Sequence, residues 1–261
     1  MNARRELPDL KRCVMHRDPH LNARNESHIV NRLIERLPRN ERASLLERCE
    51  VVELAFGDIL SETGPVIHHV YFPLNGFISL VTVLDDRQPL EMALIGNEGM
   101  VGVTLMLGVS AAPMRAIVQG SGQTLRMKAE DFRQEVIKCP SFQQILNRYL
   151  YVMMRQFPQM AVCTHFHEIK PRLARWLLMT HDRSSSDSFY LTHDFLAGML
   201  GVRRSGVTVA AGSLQRKDLI DYRRGEVTIL NRRGLEKASC TCYQTLINDY
   251  ERQFGSRRKD S

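Results

Sequence analysis

The sequence predicts an α+β protein with an antiparallel, jelly-roll-like β-roll, a long central helix and a carboxy-terminal winged helix-turn-helix. Three observations predict it. Short β-prone runs recur between turn signals from Val51 to Met127, roughly every 8–12 residues. Apolar residues then fall at alternating spacings of four and three from Phe142 to Cys163. Finally, two short amphipathic segments flank Gly201 and are followed by a strand–turn–strand pattern. With 43% hydrophobic and 25% charged residues among 261, the chain has the composition of a globular protein with room for two modest domains.

Residues 1–26 are polar, rich in Arg and Asn and aperiodic, and are read as a disordered arm. Ser27 can cap a short helix carrying Val30, Leu33, Ile34 and Leu37 before Pro38, and Asn40 can start another with Ala43, Leu45 and Leu46. The predicted strands are 51–54, 67–72, 77–84, 90–95, 114–119 and 123–127, with Asn75-Gly76 as a tight hairpin signal and Asp85-Asp86 among the other separators. Residues 27–138 therefore form the roll. Residues 139–168 form the central helix, which Pro140 can open and which Pro158 should kink or loosen. Phe142, Leu146, Tyr149, Met153, Met160 and Cys163 make one seam of it. That seam can pack on its own roll or on a second copy; the second is favoured, because helix-turn-helix proteins usually work in pairs. Arg172 to Met179 reads as a further helix with Leu173, Trp176 and Leu177 inward, and 182–188 as a polar loop.

Residues 169–250 carry the motif. Thr192 is a suitable N-cap and also a candidate DNA contact, and Phe195, Leu196, Met199 and Leu200 give the first helix an apolar face. Ala197 is small where a second helix must cross. Gly201 can take the left-handed conformation of a tight turn, and Val202 can plug it. Val207, Ala210, Ala211 and Leu214 supply the inner face of the second helix. Arg203, Arg204, Ser205 and Thr208 are left outward on its leading end, where such side chains reach base edges and phosphates in a major groove. Residues 219–230 read as a wing with Arg223 and Arg224 at its tip; these, with Arg216 and Lys217, suit backbone phosphates.

Charge agrees. Residues 169–261 hold 17 Lys and Arg against 10 Asp and Glu, whereas the rest of the chain is balanced at 19 of each, so the whole excess of +7 lies in the last third. A basic lobe on a neutral one suits a polyanion, double-stranded DNA above all. Residues 251–261 read as a basic tail. No apolar run reaches the ~20 residues of a membrane helix. The amino terminus has no apolar stretch of the signal-peptide kind, so a cytoplasmic location is expected. Six cysteines are scattered, and Cys240-Thr241-Cys242, lacking a second pair, reads as small half-buried side chains near a carboxy-terminal helix. No metal and no cofactor are expected. His165-Phe166-His167-Glu168 has cupin-like spacing but lies at the end of the helical region. The adjacent His68 and His69 would face opposite sides of a strand. No nucleophile–base set stands out, so enzymatic activity is not expected.

The segment Leu200-Gly-Val-Arg-Arg-Ser-Gly-Val, with Leu219-Ile220 and the wing Val227-Thr-Ile-Leu, resembles the Crp/Fnr superfamily of bacterial regulators. The likeness in order of parts runs from about residue 28 to 245. It implies an effector-sensing roll, a homodimer made by the central helix, and a second motif helix that enters a two-fold symmetric operator. RNA polymerase is a further expected partner. By position Arg204 matches the family's base-reading arginine, while Ser205 stands where many members have glutamate and Val209 where many have a second arginine. Nucleotide-binding members carry Gly-Glu and, about ten residues later, Arg-Ser or Arg-Thr; the nearest match here is Gly102-Val103 with Arg115-Ala116, which lacks the acid and the hydroxyl. Those four residues are the candidate effector site. Glu98-Gly99 lies too far from Arg115 to serve, and the effector's identity stays open. Cys13 stands alone where the iron–sulfur branch clusters cysteines, and His68, His69 and His165 are the candidate haem ligands, each read more readily as a surface or packing histidine.

Overall fold

The structure, a computed structural model, describes residues 31–83, 89–184 and 186–255. The predicted arm, the Ser27 cap, Val30, the Asp85-Asp86 turn and the tail beyond 255 lie outside the described residues. Two short helices come first, α1 (Arg32–Glu35) and α2 (Arg39–Glu47). Asn31 caps α1 by accepting from the Leu33 N–H, and its buried amide donates to the carbonyls of Pro73 and Gly99. One side chain thus ends the entry segment and fastens it to the roll.

The roll contains β1 (Glu50–Leu54), β2 (Ile59–Ser61), β3 (His69–Pro73), β4 (Phe77–Thr82), β5 (Leu90–Ile95), β6 (Arg115–Gly120) and β7 (Gly122–Lys128). They form two sheets, ordered β1-β7-β3 and β2-β6-β4-β5, with every pairing antiparallel. Six of these strands coincide with the predicted runs; β2, at three residues, is too short to display alternation. Asn75-Gly76 is a turn but not the predicted hairpin, because β3 pairs with β7 and β4 with β5 and β6, so the turn carries the chain from one sheet to the other. Gly76 takes φ +71° there, and the Asn75 side chain accepts from the Gln123 N–H at 2.7 Å. Val70, Phe72, Ile78, Val118, Leu125 and Met127 fill the space between the sheets.

Helix α3 (Ala129–Lys138) precedes the central helix α4 (Pro140–Phe166), so helical structure starts before Pro140. Glu130 and Asp131 in its first turn favour that start by facing the positive end of the helix dipole. The predicted seam on α4 needs correction. Phe142, Leu146, Tyr149, Met153 and Cys163 are buried within the chain, Phe142 against Phe72 and Phe132, and the Tyr149 hydroxyl donates to the Met100 carbonyl. From Phe142 to Met153 the seam is the roll's own lid rather than the face for a second copy, while Cys163 packs with Cys240 and Cys242 of the last third. The helix also runs unbroken through Pro158. Because Pro158 is exposed, the carbonyl it leaves unpaired one turn earlier can face solvent.

The last third contains α5 (Ile169–His181), β8 (Ser188–Tyr190), α6 (His193–Leu200), α7 (Arg204–Gln215), β9 (Ile220–Arg223), β10 (Glu226–Ile229), α8 (Arg232–Ala238) and α9 (Cys242–Phe254). The wing sheet is ordered β8-β10-β9, so the end of the predicted polar loop contributes a third strand. Residues 251–254, expected in a tail, are helical. Phe254 is buried in the roll's core under Arg36, with the guanidinium 5.1 Å from the ring centre, and Tyr250 donates to the Glu98 carbonyl. These anchors extend the helix beyond what its polar sequence suggests.

The two lobes share an apolar interface in which Phe77, Leu94 and Ile117 of the roll meet the core of the last third. Polar contacts sit inside it. Glu91 accepts from Trp176 Nε1 at 2.9 Å and from the Ser79 hydroxyl at 2.6 Å, all three groups being buried. Arg183 at the end of α5 donates twice to Glu98 Oε1, at 2.8 and 2.6 Å. Glu98 therefore serves the lobe interface.

Candidate nucleic-acid interface

Thr192 caps α6, its hydroxyl accepting from the Phe195 N–H at 3.1 Å. Of the predicted DNA contacts, Thr192 therefore has its hydroxyl oxygen engaged at the helix start. The turn after α6 is closed by two backbone bonds, Gly201 N–H to Gly198 and Val202 N–H to Ala197, with Gly201 at φ +62°. This pattern of nested bonds requires the left-handed residue, so a side chain at 201 would be strained. Ala197 and Leu200 of α6 and Val207, Ala210, Ala211 and Leu214 of α7 are all buried, as their spacing predicted. With those six inward, geometry alone turns Ser205, Thr208 and Val209 outward.

Arg203 is the N-cap of α7 and is exposed, as are Arg204 and Ser205. Arg204 is 68% exposed at its side chain and lies 3.5 Å from Asp194 of α6, a loose surface pair that a stronger anion can displace. Thr208 differs from expectation in one respect. Its hydroxyl donates to the Arg204 carbonyl and sits 2.9 Å from His193 Nδ1, so it is already engaged within the motif. Val209, 71% exposed on the same face, was not among the predicted contacts. An exposed β-branched side chain there can meet a thymine methyl in a major groove.

Arg216 and Lys217 are exposed at the opposite end of α7, about 18 Å along the axis from Arg204. Arg223 and Arg224 sit at the β9–β10 turn. Register pairs Arg223 with Glu226, leaving Arg224 and Gly225 as a two-residue loop with φ of +51° and +87°. Two-residue hairpins of this kind favour Asn or Gly at the first position, and an arginine there carries a local conformational cost. Arg223 is 80% exposed at its side chain and pairs with Asp221 at 3.1 Å. These residues share the exposed surface of the motif and wing.

The proposed effector residues do not converge. Gly102, at φ +91°, and Val103 border a cavity of about 230 Å³ between the roll and α4, whose walls include Leu80, Met100, Leu150 and Phe157. Arg115 and Ala116 do not border it. Arg115 is held by Glu62 at 2.6 Å and Ala116 is buried in β6. Thr104 brings a buried, unpartnered hydroxyl to the wall, and His69 lies nearby, held below the usual imidazole range chiefly by its partial burial.

Residues 171–238 match the Crp-like helix-turn-helix domain family. Among solved structures the chain is similar to FixK2 from Bradyrhizobium japonicum, with a TM-score of 0.62 and 13% identity over 74% of this chain and 98% of that one. A Crp/Fnr-family regulator from Eubacterium rectale gives 0.62 and 16%, over 79% and 96%. The fold is that of the Crp/Fnr regulators. The regulator CLP of Xanthomonas campestris, described as cyclic-di-GMP-responsive, gives 0.59 and 16%, over 74% and 99%. No curated protein matches the chain by sequence. The α+β class predicted above is therefore confirmed, and the segment from α5 to α8 matches a Crp-like helix-turn-helix domain. In this Crp/Fnr fold, among the described residues, no helix is long and apolar enough to cross a membrane.

Proposed function

We propose that this protein is a sequence-selective, homodimeric DNA-binding regulator of transcription, acting in the cytoplasm with α7 in the major groove. The observation that carries this reading is the exposed leading end of α7, where Arg203, Arg204 and Ser205 project with Val209 one turn on. Arg204 and Ser205 offer donors for base edges, while the wing arginines and Arg216 and Lys217 supply sequence-blind phosphate contacts. RNA polymerase would be met from this bound state.

Dimerisation is supported by a second stripe on α4. Tyr151, Met154, Pro158, Val162 and Phe166 are exposed and recur at helical spacing, opposite the buried seam. Phe166, at 72% exposure, is a costly residue to leave in water. A second copy laid along this stripe would set two α7 helices for half-sites about one helical turn, or ~34 Å, apart. The test is selection of bound fragments from genomic DNA with the purified full chain. A two-fold symmetric sequence, bound with an affinity that falls steeply with salt, is expected; enrichment of no common sequence would overturn the reading.

The roll cavity favours a second, compatible activity, binding of a small effector. Its apolar wall and the engagement of Arg115 by Glu62 suit a compact, mainly apolar molecule with one hydrogen-bonding group for Thr104. Calorimetry with cyclic AMP and cyclic GMP should then give no heat; measurable binding of either would reject this preference.

A further inference from the structure

Three buried thiols and an imidazole meet where the central helix ends. Cys163 and His167 are one helical turn apart on α4, His167 being its C-cap. Cys242 is the first residue of α9, and Cys240 precedes it in the loop from α8. The Cys240 N–H donates to the Pro171 carbonyl in α5, which fixes that loop against the α4–α5 joint. Spacing in sequence conceals the group, since a C-x-C pair finds its partners about 75 residues away.

We infer that Cys163, His167, Cys240 and Cys242 form a closed tetrahedral site for a soft divalent cation of the zinc type. The donor atoms all lie within 4.8 Å of one another. Cys163 Sγ and Cys240 Sγ are 3.6 Å apart, and Cys242 Sγ and His167 Nδ1 are 3.4 Å apart. With metal–sulfur and metal–nitrogen bonds of about 2.3 and 2.0 Å, the edges of a tetrahedron come to about 3.8 Å for S···S and 3.5 Å for S···N. Those two edges need adjust by only a fraction of an ångström. A disulfide between Cys163 and Cys240 would instead require the sulfurs to close to about 2.05 Å and would leave Cys242 and His167 unused.

The surroundings suit an anionic complex. Three thiolates, a neutral imidazole and a divalent cation sum to one negative charge. Arg172 and Arg175 are buried at 5% and 2% exposure, and neither forms an ion pair with a carboxylate among the described residues. Among the described residues the hydrogen bonds of Arg175 go to the sulfurs of Met160 and Met179 and that of Arg172 to the Leu200 carbonyl, and the Nε of each is buried without an acceptor. Both guanidiniums lie within electrostatic reach of Cys163. With neutral thiols Arg175 faces only the buried Glu91 carboxyl, which burial pushes up to about 7, and Arg172 has no carboxylate ion pair among the described residues; a three-thiolate complex supplies both with a counter-charge. Gln159 Nε2 donates to Cys242 Sγ at 3.0 Å, the outer contact that typically orients a metal-bound thiolate. With four protein ligands no position is open, so the cation acts structurally, clamping α4, the start of α5 and α9 at the joint that sets the helix-turn-helix against the central helix.

The experiment uses the full chain purified anaerobically with thiols reduced. Metal analysis should find about one zinc per chain. Cobalt exchanged into the site should give the visible bands and sulfur-to-metal charge transfer of tetrahedral thiolate coordination. Cys163→Ser and Cys240→Ser should each abolish that spectrum, while Cys49→Ser, in the roll, should keep it. If the serine variants misfold, the wild-type cobalt spectrum still decides, because charge-transfer intensity counts the thiolates. Protein that takes up neither metal, uptake unchanged in Cys240→Ser, or a Cys163–Cys240 disulfide in the reduced, anaerobic preparation would each overturn the site. None of these readouts involves DNA, so the result stands or falls separately from the proposed operator binding.

Discussion

Arg224 and Glu91 each hold an unfavourable local state. Arg224 occupies a left-handed turn position at φ +51° that asparagine fills more readily. If its role is to lie against phosphates, Arg224→Asn should raise thermal stability, by up to about 1 kcal/mol. The same change should weaken duplex binding equally for all sequences. Denaturant melts and anisotropy measure the two effects, and a variant that gains stability without losing affinity would deny the wing its role. Glu91 lies wholly inside the lobe interface, and its burial pushes the carboxyl up to about 7. A raised carboxyl pKa means the folded chain holds the proton more tightly, so stability is lost as pH climbs from the ordinary carboxylate range through 7. At about 1.4 kcal/mol per pH unit the loss amounts to as much as ~3 kcal/mol, and Glu91→Gln should abolish that slope. Melts across pH 5 to 8 check it; parallel slopes in both proteins would contradict it.

At the scale of elements, legibility followed length and periodicity. The six longer strands and the helix pair around Gly201 were visible because burial imposes a period of two or 3.6 on enough residues. β2 and β8, three residues each, show no period. A carboxy-terminal helix near Cys242 is legible, but its last turn over 251–254 is not, because its anchors, Tyr250 and Phe254, touch the distant roll. The α4 seam is legible but its neighbour is not, since an apolar stripe does not say what covers it, and here the roll covers it from Phe142 to Met153. The exposed stripe on the opposite face carries the dimer prediction: Met154→Glu with Phe166→Glu should give a monomer by sedimentation and lower operator affinity at least about tenfold, one half-site's worth of contacts being lost. A dimer that survives both charges would place the interface elsewhere.

For the whole molecule, the charge asymmetry and order of parts were enough to read a basic winged lobe on a neutral roll. The leading end of α7 was equally legible, because Val207, Ala210, Ala211 and Leu214 fix which residues face out. Val209, absent from the predicted contacts, lies outward on the same wheel and could be found from it, whereas the engagement of Thr208 by His193 depends on how α6 crosses α7. Pairwise long-range chemistry was not legible. Glu91 with Trp176, Glu98 with Arg183, and the Cys163–Cys242 cluster join segments about 80 residues apart, and no local pattern encodes such meetings.

The claim that α7 reads sequence is tested most directly by measuring affinity for the selected duplex and for a scrambled one. Wild type, Arg204→Ala and Arg223→Ala would be compared at several salt concentrations. Arg204→Ala should cost about 1–3 kcal/mol on the selected duplex and shrink its advantage over the scrambled one. Arg223→Ala should weaken both alike and lower the salt slope by about one. An Arg204→Ala protein that keeps the full preference for the selected duplex would contradict the account.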